Sequence, residues 1–446
     1  AWIYPDGSYI FGKTMFPVID PFTGKSSFSQ EAADYTIKSV GEINKDDGDT
    51  VAQIIESYKG AWKEAFGKYR YSGPGEWGDG PDPLEALFNH PKYPLDPKIA
   101  LGTVGEIATT MFKSPEMQTF YMRAIQTSNG LFPQDRPGPY WHIHALGLIL
   151  SMEPAAIVQG GTHSITHALL RAFERYGGEF FVLNEVNKVL VDNKKAYGIE
   201  LTNGDKILAD IVVSDLSIEL TMDKSGKDNW PAELWAKGQK LKDKPDDLYN
   251  TSAYERTQLL WGNIALMDAP KYPQNPELGM VPRLYFGKAD PEYFLSGRYQ
   301  KERWDLGIAN QMYLLVAPDV QWDPTRAPAG RFAALVEEFT CPWRQFSEKQ
   351  WLKIKKDIEF RMVEEWGKYA PNVNMDNFIS AWIATPDDVV NRNPCMPQGG
   401  WGALDANYER LGRLRPFPEI SGYRMPIKNY YLCSSAAHSA HGIGRG

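Results

Sequence analysis

The stretch GGTHSITHALLRAFERYGGEFFVLNEVNKVLVDNKKAYGIELTNGDKILADIVVSD, residues 160–215, decides the fold that we predict for this chain. Its first part carries apolar side chains at the spacing of one helix face. These residues are Ile165, Leu169, Ala172, Phe173 and Tyr176. Gly177-Gly178 follows them and ends the helix, since glycine adopts the backbone conformations that close a helix.

The second part of the stretch predicts strands. A short strand is expected at 180–183, and alternating apolar residues predict two more at 186–192 and 196–201. Asn203-Gly204 is a favoured hairpin turn and leads into another strand. Ile211–Val213 is apolar at consecutive positions, which predicts a strand buried on both faces.

This order of elements resembles one family, the phytoene desaturases, the carotenoid isomerases and their flavin-dependent relatives. The positions that match the family's central signature are Gly160-Gly161, Leu169, Glu174, Gly177-Gly178, Val186, Val189, Gly198-Ile199, Leu201, Gly204, Ala209-Asp210 and Val212-Val213-Ser214. Further matches follow in family order at Asp323–Gly330, Thr385–Asp388, Gly399-Gly400, Arg415-Pro416 and Asn429–His438. The last four matches form one C-terminal motif, so three motifs stand in family order over about residues 150–446, which is far more specific than one motif alone.

The resemblance implies an α/β fold in which an FAD-binding, glutathione-reductase-like Rossmann-type domain is interleaved with a mixed α+β substrate domain. The FAD-binding domain is expected at 1–20, 154–220 and 381–446, and the substrate domain at 21–153 and 221–380. Ligands of doubly wound folds sit in the crevice beyond the carboxyl ends of the strands.

The resemblance also implies the FAD-binding residues, most of which end or begin strands of that fold. They are Gly160, Gly161, Val186, Ser214, Asp215, Cys433, Ser434, Ser435, His438, Gly442, Ile443 and Gly444. Glycine at 442 and 444 would let the backbone approach the flavin ring closely. His441 is the candidate for proton transfer, although Ser439-Ala440-His441 departs from the family's Pro-Gly-Gly and leaves the shape of this loop open.

The aromatic content of 13% suggests an apolar substrate pocket beside ordinary core packing. Tyr140, Trp141 and Trp401 are the candidate lining residues, and Arg136 could bind a carboxylate as a bidentate donor. We expect FAD to carry the redox chemistry and the protein to orient an apolar isoprenoid or alicyclic substrate for desaturation or isomerisation of a C–C bond. A carotenoid-like polyene and a ring keto acid are both substrates that the family resemblance allows.

Two other functions stay open. The chain could be a non-catalytic scaffold subunit with the same fold, or a flavoenzyme of the amine oxidase type. The scaffold is favoured if the chain is complete, because the G-x-G-x-x-G turn with which the family begins does not precede Ala1. We expect instead that the gene product is longer at both ends. Gly73–Gly78 matches that turn formally, but Pro74 removes an N–H donor and no apolar strand precedes it, so we predict a plain loop.

Composition and charge limit the classes of partner that the sequence predicts. A net charge of -8 and the lack of a basic stripe argue against nucleic acid. Three widely spaced cysteines indicate a reducing compartment, so a cytoplasmic location is expected. Because the expected substrate is apolar, the protein could also contact a membrane surface peripherally. The sequence leaves the oligomeric state open. His163 and His167 have a chelating spacing but no third ligand at a recognisable spacing, so we predict no metal site.

Overall fold

The computed structural model describes residues 1–16, 27–153, 157–243, 255, 258–393, 395–402 and 404–438. The helices are α1 (Gln30–Ile43), α2 (Lys45–Ser57), α3 (Lys63–Tyr71), α4 (Pro97–Ala100), α5 (Val104–Met111), α6 (Pro115–Asn129), α7 (Gly138–Ile149), α8 (His163–Arg175), α9 (Ile218–Ser225), α10 (Ala232–Lys240), α11 (Pro291–Leu295), α12 (Arg298–Leu306), α13 (Glu348–Gly367) and α14 (Pro386–Arg392). The strands are β1 (Trp2–Ile3), β2 (Tyr9–Ile10), β3 (Val186–Asp192), β4 (Lys195–Leu201), β5 (Lys206–Leu208), β6 (Val212–Ser214), β7 (Leu259–Leu266), β8 (Leu284–Phe286), β9 (Leu315–Ala317), β10 (Phe332–Phe339), β11 (Phe378–Ala384) and β12 (Tyr430–Leu432).

A seven-stranded sheet, in the order β11-β7-β10-β9-β8-β1-β2, forms the centre of the larger unit. Side chains alternate between its faces, as the pleat of a strand requires. Tyr285 and Leu315 join the core formed with the helices of the first 150 residues, whereas Phe286 and Val316 join the core formed with α13. The sheet is therefore covered on both faces.

The helical layer is held by polar caps at its ends and by an apolar core within. The Ser29 and Ser114 hydroxyls accept hydrogen bonds from the first turns of α1 and α6, which satisfies N–H groups that lack a partner at a helix start. Every residue of α7 except Leu148 is buried, as expected of a helix that is apolar on all sides. This helical layer therefore packs against one face of the sheet through buried side chains.

The smaller unit contains the stretch that decided the prediction. The predicted hairpins are confirmed, since β3, β4 and β5 form one antiparallel sheet and Gly204 turns between the last two with φ of 91°. The parallel pair of β6 and β12 stands beside them. The side chains of α9 and α10 share a core with β3 and β6.

Two local predictions were wrong. Residues 180–183 form no strand, and the side chains of Phe180 and Leu183 are exposed. Val213 is 58% exposed, whereas Val212 is 8% exposed, so β6 is buried on one face only. Both predictions rested on apolar composition, which does not show whether a neighbouring element covers a segment.

The predicted division into domains differs from the structure at three boundaries. β1, predicted in the cofactor unit, pairs in parallel with β8 of the large sheet. β11 reaches past position 381 and pairs with β7 of the same sheet. α9 and α10 were assigned mainly to the substrate domain, but they pack on the smaller unit. These pairings join segments up to several hundred residues apart, so local periodicity does not reveal them.

Helix α8 ends at Arg175, and Gly177, two residues beyond, has a φ of 86° as expected of a glycine that closes a helix. None of its side chains is buried, and Leu169 and Phe173 are 60% and 51% exposed. The apolar stripe that predicted the helix is therefore solvent-exposed in the described part of the chain.

Candidate functional site

The carboxyl ends of β6 and β12 lie side by side. The two strands are parallel, with Leu432 opposite Ser214, and the Cys433 N–H donates to the Ser214 carbonyl at 2.8 Å. Parallel pairing brings the residues that follow both strands to the same edge. Ser214, Asp215, Cys433 and Ser434, all predicted from sequence to bind the cofactor, thus come together.

A cavity of about 600 Å³ opens beside this edge. Val186, Ser214 and Asp215 line this cavity. Val186, a further residue that the sequence predicted to bind the cofactor, therefore lies near the ends of β6 and β12. Most of the remaining wall is apolar and comprises Val189, Gly198, Ile199, Ile207, Ala209, Ile211, Val212, Val213, Leu216 and Leu220.

Polar groups hold the rim of this cavity in place. The Lys224 ammonium donates to the Val186 carbonyl at 2.7 Å. The Ser214 and Thr221 hydroxyls are hydrogen-bonded at 2.7 Å, and the Tyr430 hydroxyl donates to the Thr221 carbonyl at 2.9 Å. Partial burial raises the pKa of Asp215 above its usual range. The rim therefore offers one carboxyl group whose solvation is incomplete.

The turn after β12 is tied to the helical layer. His438 is buried, and its Nε2 lies 2.7 Å from the Tyr69 carbonyl of α3. Its ring meets the rings of Tyr69 and Trp77 edge-on, with centroids 4.9 and 5.0 Å away. Burial lowers the pKa of His438 to about 4, so this imidazole is neutral at pH 7. The predicted cofactor residue Ser435 lies in the same turn and accepts hydrogen bonds at its carbonyl from Arg415.

Gly160 and Gly161 lie elsewhere. The Gly160 N–H donates to the Asp323 carboxylate at 2.7 Å. Both glycines have positive φ, and a Cβ added at Gly161 would lie 3.0 Å from the Arg326 guanidinium. The glycine pair therefore brings the start of α8 against the turn at 323–326, and it does not line the 600 Å³ cavity.

The candidate substrate residues are dispersed. Tyr140 stacks on Phe66 with ring centroids 5.1 Å apart, and the Trp141 indole donates to the Ala406 carbonyl. Both side chains are buried in the core of the helical layer, which favours a packing role. Arg136 is exposed. Trp401 is half-buried and meets Trp261 edge-on, with centroids 4.4 Å apart.

A second cavity, of about 590 Å³, lies between α7 and the large sheet. Phe120, Leu148 and Val281 are among its apolar lining residues. Arg70, His144 and Glu153 form a polar corner of this cavity, and the charged residues Lys13, Glu277 and Arg283 line it elsewhere. The Glu153 carboxylate lies 2.8 Å from His144 Nδ1 and 3.4 Å from an Arg70 nitrogen. No local signal in the sequence marked Arg70, His144 and Glu153 as neighbours.

Several candidates fall outside the described residues. These are His441, Gly442, Ile443 and Gly444. Within the described ranges, no group of three or more histidine, cysteine or acidic side chains is arranged to hold a metal ion. No helix in those ranges is both long and apolar enough to cross a membrane.

The first cavity suits one half of FAD. Its apolar wall suits a flat adenine ring, and the Asp215 carboxylate at its rim can accept a hydrogen bond from a ribose hydroxyl. The segment predicted to meet the flavin ring, residues 442–444, lies outside the described ranges.

No protein-family model matches the sequence. The chain is 25% identical over 313 residues to the pyridine nucleotide-disulfide oxidoreductase domain-containing protein 2 of Rattus norvegicus, a match that covers 67% of this chain and 51% of that protein. It is 22% identical over 290 residues to the neurosporene-forming phytoene desaturase of Cereibacter sphaeroides, which covers 64% and 50%. The chain thus spans about half the length of these curated relatives.

Among solved structures, a triple mutant of putrescine oxidase aligns with 100% of this chain and 83% of its own, with a TM-score of 0.50 and 10% sequence identity. This likeness confirms the predicted α/β FAD-binding oxidoreductase fold. The sequence similarities support a distant relationship to the FAD-dependent oxidoreductase superfamily. The finer likeness to the phytoene desaturases stays a prediction.

Proposed function

We propose that this protein is an FAD-dependent oxidoreductase that desaturates or isomerises a C–C bond of an apolar isoprenoid or alicyclic substrate. One observation carries the proposal. Val186 and Ser214-Asp215, from two separated segments, line one cavity, and Cys433, from a third, is hydrogen-bonded to Ser214 at the carboxyl edge of the parallel strand pair. That edge is where doubly wound folds bind nucleotides.

In this proposal the chain holds the adenosine half of FAD between the β3–β5 sheet and the end of β6. Val186 and Val189 pack against the adenine, and the Asp215 carboxylate accepts a hydrogen bond from a ribose hydroxyl. The Cys433–His438 turn, fixed on α3 by His438, lies against the rest of the cofactor. FAD, when bound, supplies the hydride chemistry.

The 590 Å³ cavity is the proposed substrate chamber, because its volume lies in the range of small-molecule sites and its wall is mainly apolar. Phe120, Leu148 and Val281 would contact the hydrocarbon part of the substrate and exclude water. The corner formed by Arg70, His144 and Glu153 would orient a substrate that carries one polar group.

The visible absorption spectrum of the purified full-length protein tests the proposal first. A bound flavin is expected, and a colourless protein that takes up no added FAD would instead indicate the scaffold subunit. The second step is anaerobic mixing with a panel of isoprenoids, alicyclic compounds and amines.

Bleaching of the flavin by an isoprenoid or alicyclic compound supports desaturation, and a shifted double bond without bleaching supports isomerisation. Bleaching by amines alone overturns the proposal in favour of an amine oxidase. A flavoprotein that changes no member of the hydrocarbon panel also contradicts it.

A further inference from the structure

The 590 Å³ cavity carries more positive than negative side chains. Its lining residues include the cations Lys13, Arg70 and Arg283 and the carboxylates Glu153 and Glu277. The Glu277 carboxylate lies 3.7 Å from the Lys13 ammonium, and Glu153 lies 3.4 Å from Arg70. Arg283 is therefore the cation in excess, although the chain as a whole has a net charge of -8.

The acidic groups around Arg283 are engaged elsewhere. Arg283 forms no ion pair with any of the described residues. Its charge reaches Asp319 and Glu337, where burial raises the pKa and Arg283 partly opposes that rise. Each of these carboxylates has a nearer cation, since Asp319 lies 3.7 Å from Arg326 and Glu337 lies 3.9 Å from Arg123. The Arg283 guanidinium can therefore take a carboxylate from outside the chain.

The position of Arg283 suits the charged end of an amphiphilic ligand. Arg283 directly precedes β8, a strand of the large sheet, and it is exposed, so it stands where the cavity meets solvent. Phe120 and Val281, which line the same cavity, are buried. An apolar body can be covered by these side chains while its charged end stays partly hydrated, which avoids the cost of burying a charge.

We propose that the ligand of this cavity is an apolar molecule with one carboxylate, and that Arg283 binds that carboxylate. This inference rests on the proposed function, whose substrate chamber it specifies. Arginine suits the task because its planar guanidinium can donate two parallel hydrogen bonds to the two carboxylate oxygens. The corner formed by Arg70, His144 and Glu153 suits a neutral polar group instead, since the Glu153 charge would repel a second carboxylate.

Two ligands that share one isoprenoid body test the proposal, geranic acid and geraniol. The acid is ionised at neutral pH, as carboxyl groups are, and the alcohol is neutral. Their affinities for the full chain are measured by isothermal titration calorimetry. Arg283→Gln removes the charge, and Arg283→Lys keeps the charge but loses the planar fork. Arg171→Gln is the matched control, because Arg171 of α8 is an exposed arginine that lines neither cavity.

We expect the unmodified protein to bind geranic acid about tenfold more tightly than geraniol, since tenfold corresponds to about one charge-assisted hydrogen bond. Arg283→Gln should abolish this preference and leave the affinity for geraniol unchanged. Arg283→Lys should keep part of the preference, and Arg171→Gln should keep all of it.

Equal affinities of the unmodified protein for the acid and the alcohol, or binding of neither, would overturn the inference, and this comparison does not depend on the folding of a variant. An acid preference that survives in Arg283→Gln would overturn it as well. The flavin spectrum of the same protein separates the two proposals. A flavoprotein without an acid preference overturns this inference alone, whereas a colourless protein that takes up no FAD but keeps the Arg283-dependent preference overturns the proposed function and supports the ligand class.

Discussion

Gly147 of α7 leaves room for the Glu153 carboxylate, and Gly147→Ala should therefore destabilise the protein. An ideal Cβ at position 147 would lie 2.6 Å from Glu153 Oε1 and 2.8 Å from its Cγ. A flexible side chain can move away from that methyl group, but Glu153 would then leave His144 and Arg70, which lie 2.8 and 3.4 Å from its oxygens.

Two opposing free-energy terms decide whether Gly147→Ala raises or lowers the stability of the protein. Alanine in place of glycine inside a helix stabilises by about 1 kcal/mol. Weakening two partly buried, charge-assisted contacts costs about 1.5–3 kcal/mol in total, since a hydrogen bond to a charged group contributes about that much alone and the longer contact contributes less. We expect a net loss of about 1 kcal/mol, from the difference between these two terms.

Gly67→Ala is the matched control, because Gly67 lies inside α3 and an added Cβ would meet no atom within 4 Å. This variant should be more stable by about 0.5–1 kcal/mol. Urea unfolding followed by tryptophan fluorescence would show the two variants shifted in opposite directions.

Repeating the substitution in the Glu153→Ala variant tests whether displacement of the Glu153 side chain causes the loss of stability. There, Gly147→Ala should stabilise the protein by about 1 kcal/mol, because only the helix term is left. The reasoning is refuted if Gly147→Ala raises the unfolding midpoint of the otherwise unmodified protein as much as Gly67→Ala does.

Three further outcomes are expected. Burial in the folded state lowers the pKa of His142 and His438 to about 4, so their contribution to stability is present above about pH 6.5 and is lost as the pH falls toward 4. His142→Asn should therefore reduce the loss of stability between pH 6.5 and pH 4 in unfolding measurements. An unchanged loss would show that His142 does not cause this acid destabilisation. Leu169→Gln and Phe173→Gln should each change stability by less than about 0.5 kcal/mol because α8 exposes both side chains, and a larger loss in thermal unfolding would mean that this face is covered in solution. Asp215→Ala should weaken FAD binding about tenfold through one lost charge-assisted hydrogen bond, whereas Asp210→Ala, two residues before β6, should not. Equal affinities of the two variants in a fluorescence titration would exclude Asp215 as a ribose ligand.

Local signals in the sequence predicted the local structure well. The β3–β4–β5 hairpins follow from alternation and from Gly204, whose positive φ a turn requires. The meeting of Ser214 with Cys433 was implied by the family resemblance, because strand ends of such folds share one edge.

Features that depend on distant parts of the chain were not predictable in this way. β1 is only two residues long, and its place beside β8 is set by Trp2, which packs between Phe120 and Tyr285 and donates to the Gly287 carbonyl. Arg415 was recognisable only as part of a dipeptide motif, since its hydrogen bonds to the Ser435 carbonyl leave no mark in the sequence. The exposure of Val213 and of α8 depends on which elements cover them.

Protection of Cys433 from alkylation tests the central claim most directly. This thiol is exposed at the carboxyl end of β12, while Cys341 is buried and serves as the internal negative control. The unmodified protein is treated with iodoacetamide with and without saturating FAD, and the label at each cysteine is followed over time by mass spectrometry. If FAD binds at the edge shared by β6 and β12, the labelling rate at Cys433 should fall at least about tenfold, as expected when a ligand occupies its site almost fully. Bound FAD with an unchanged labelling rate at Cys433 would place the cofactor elsewhere and contradict the account.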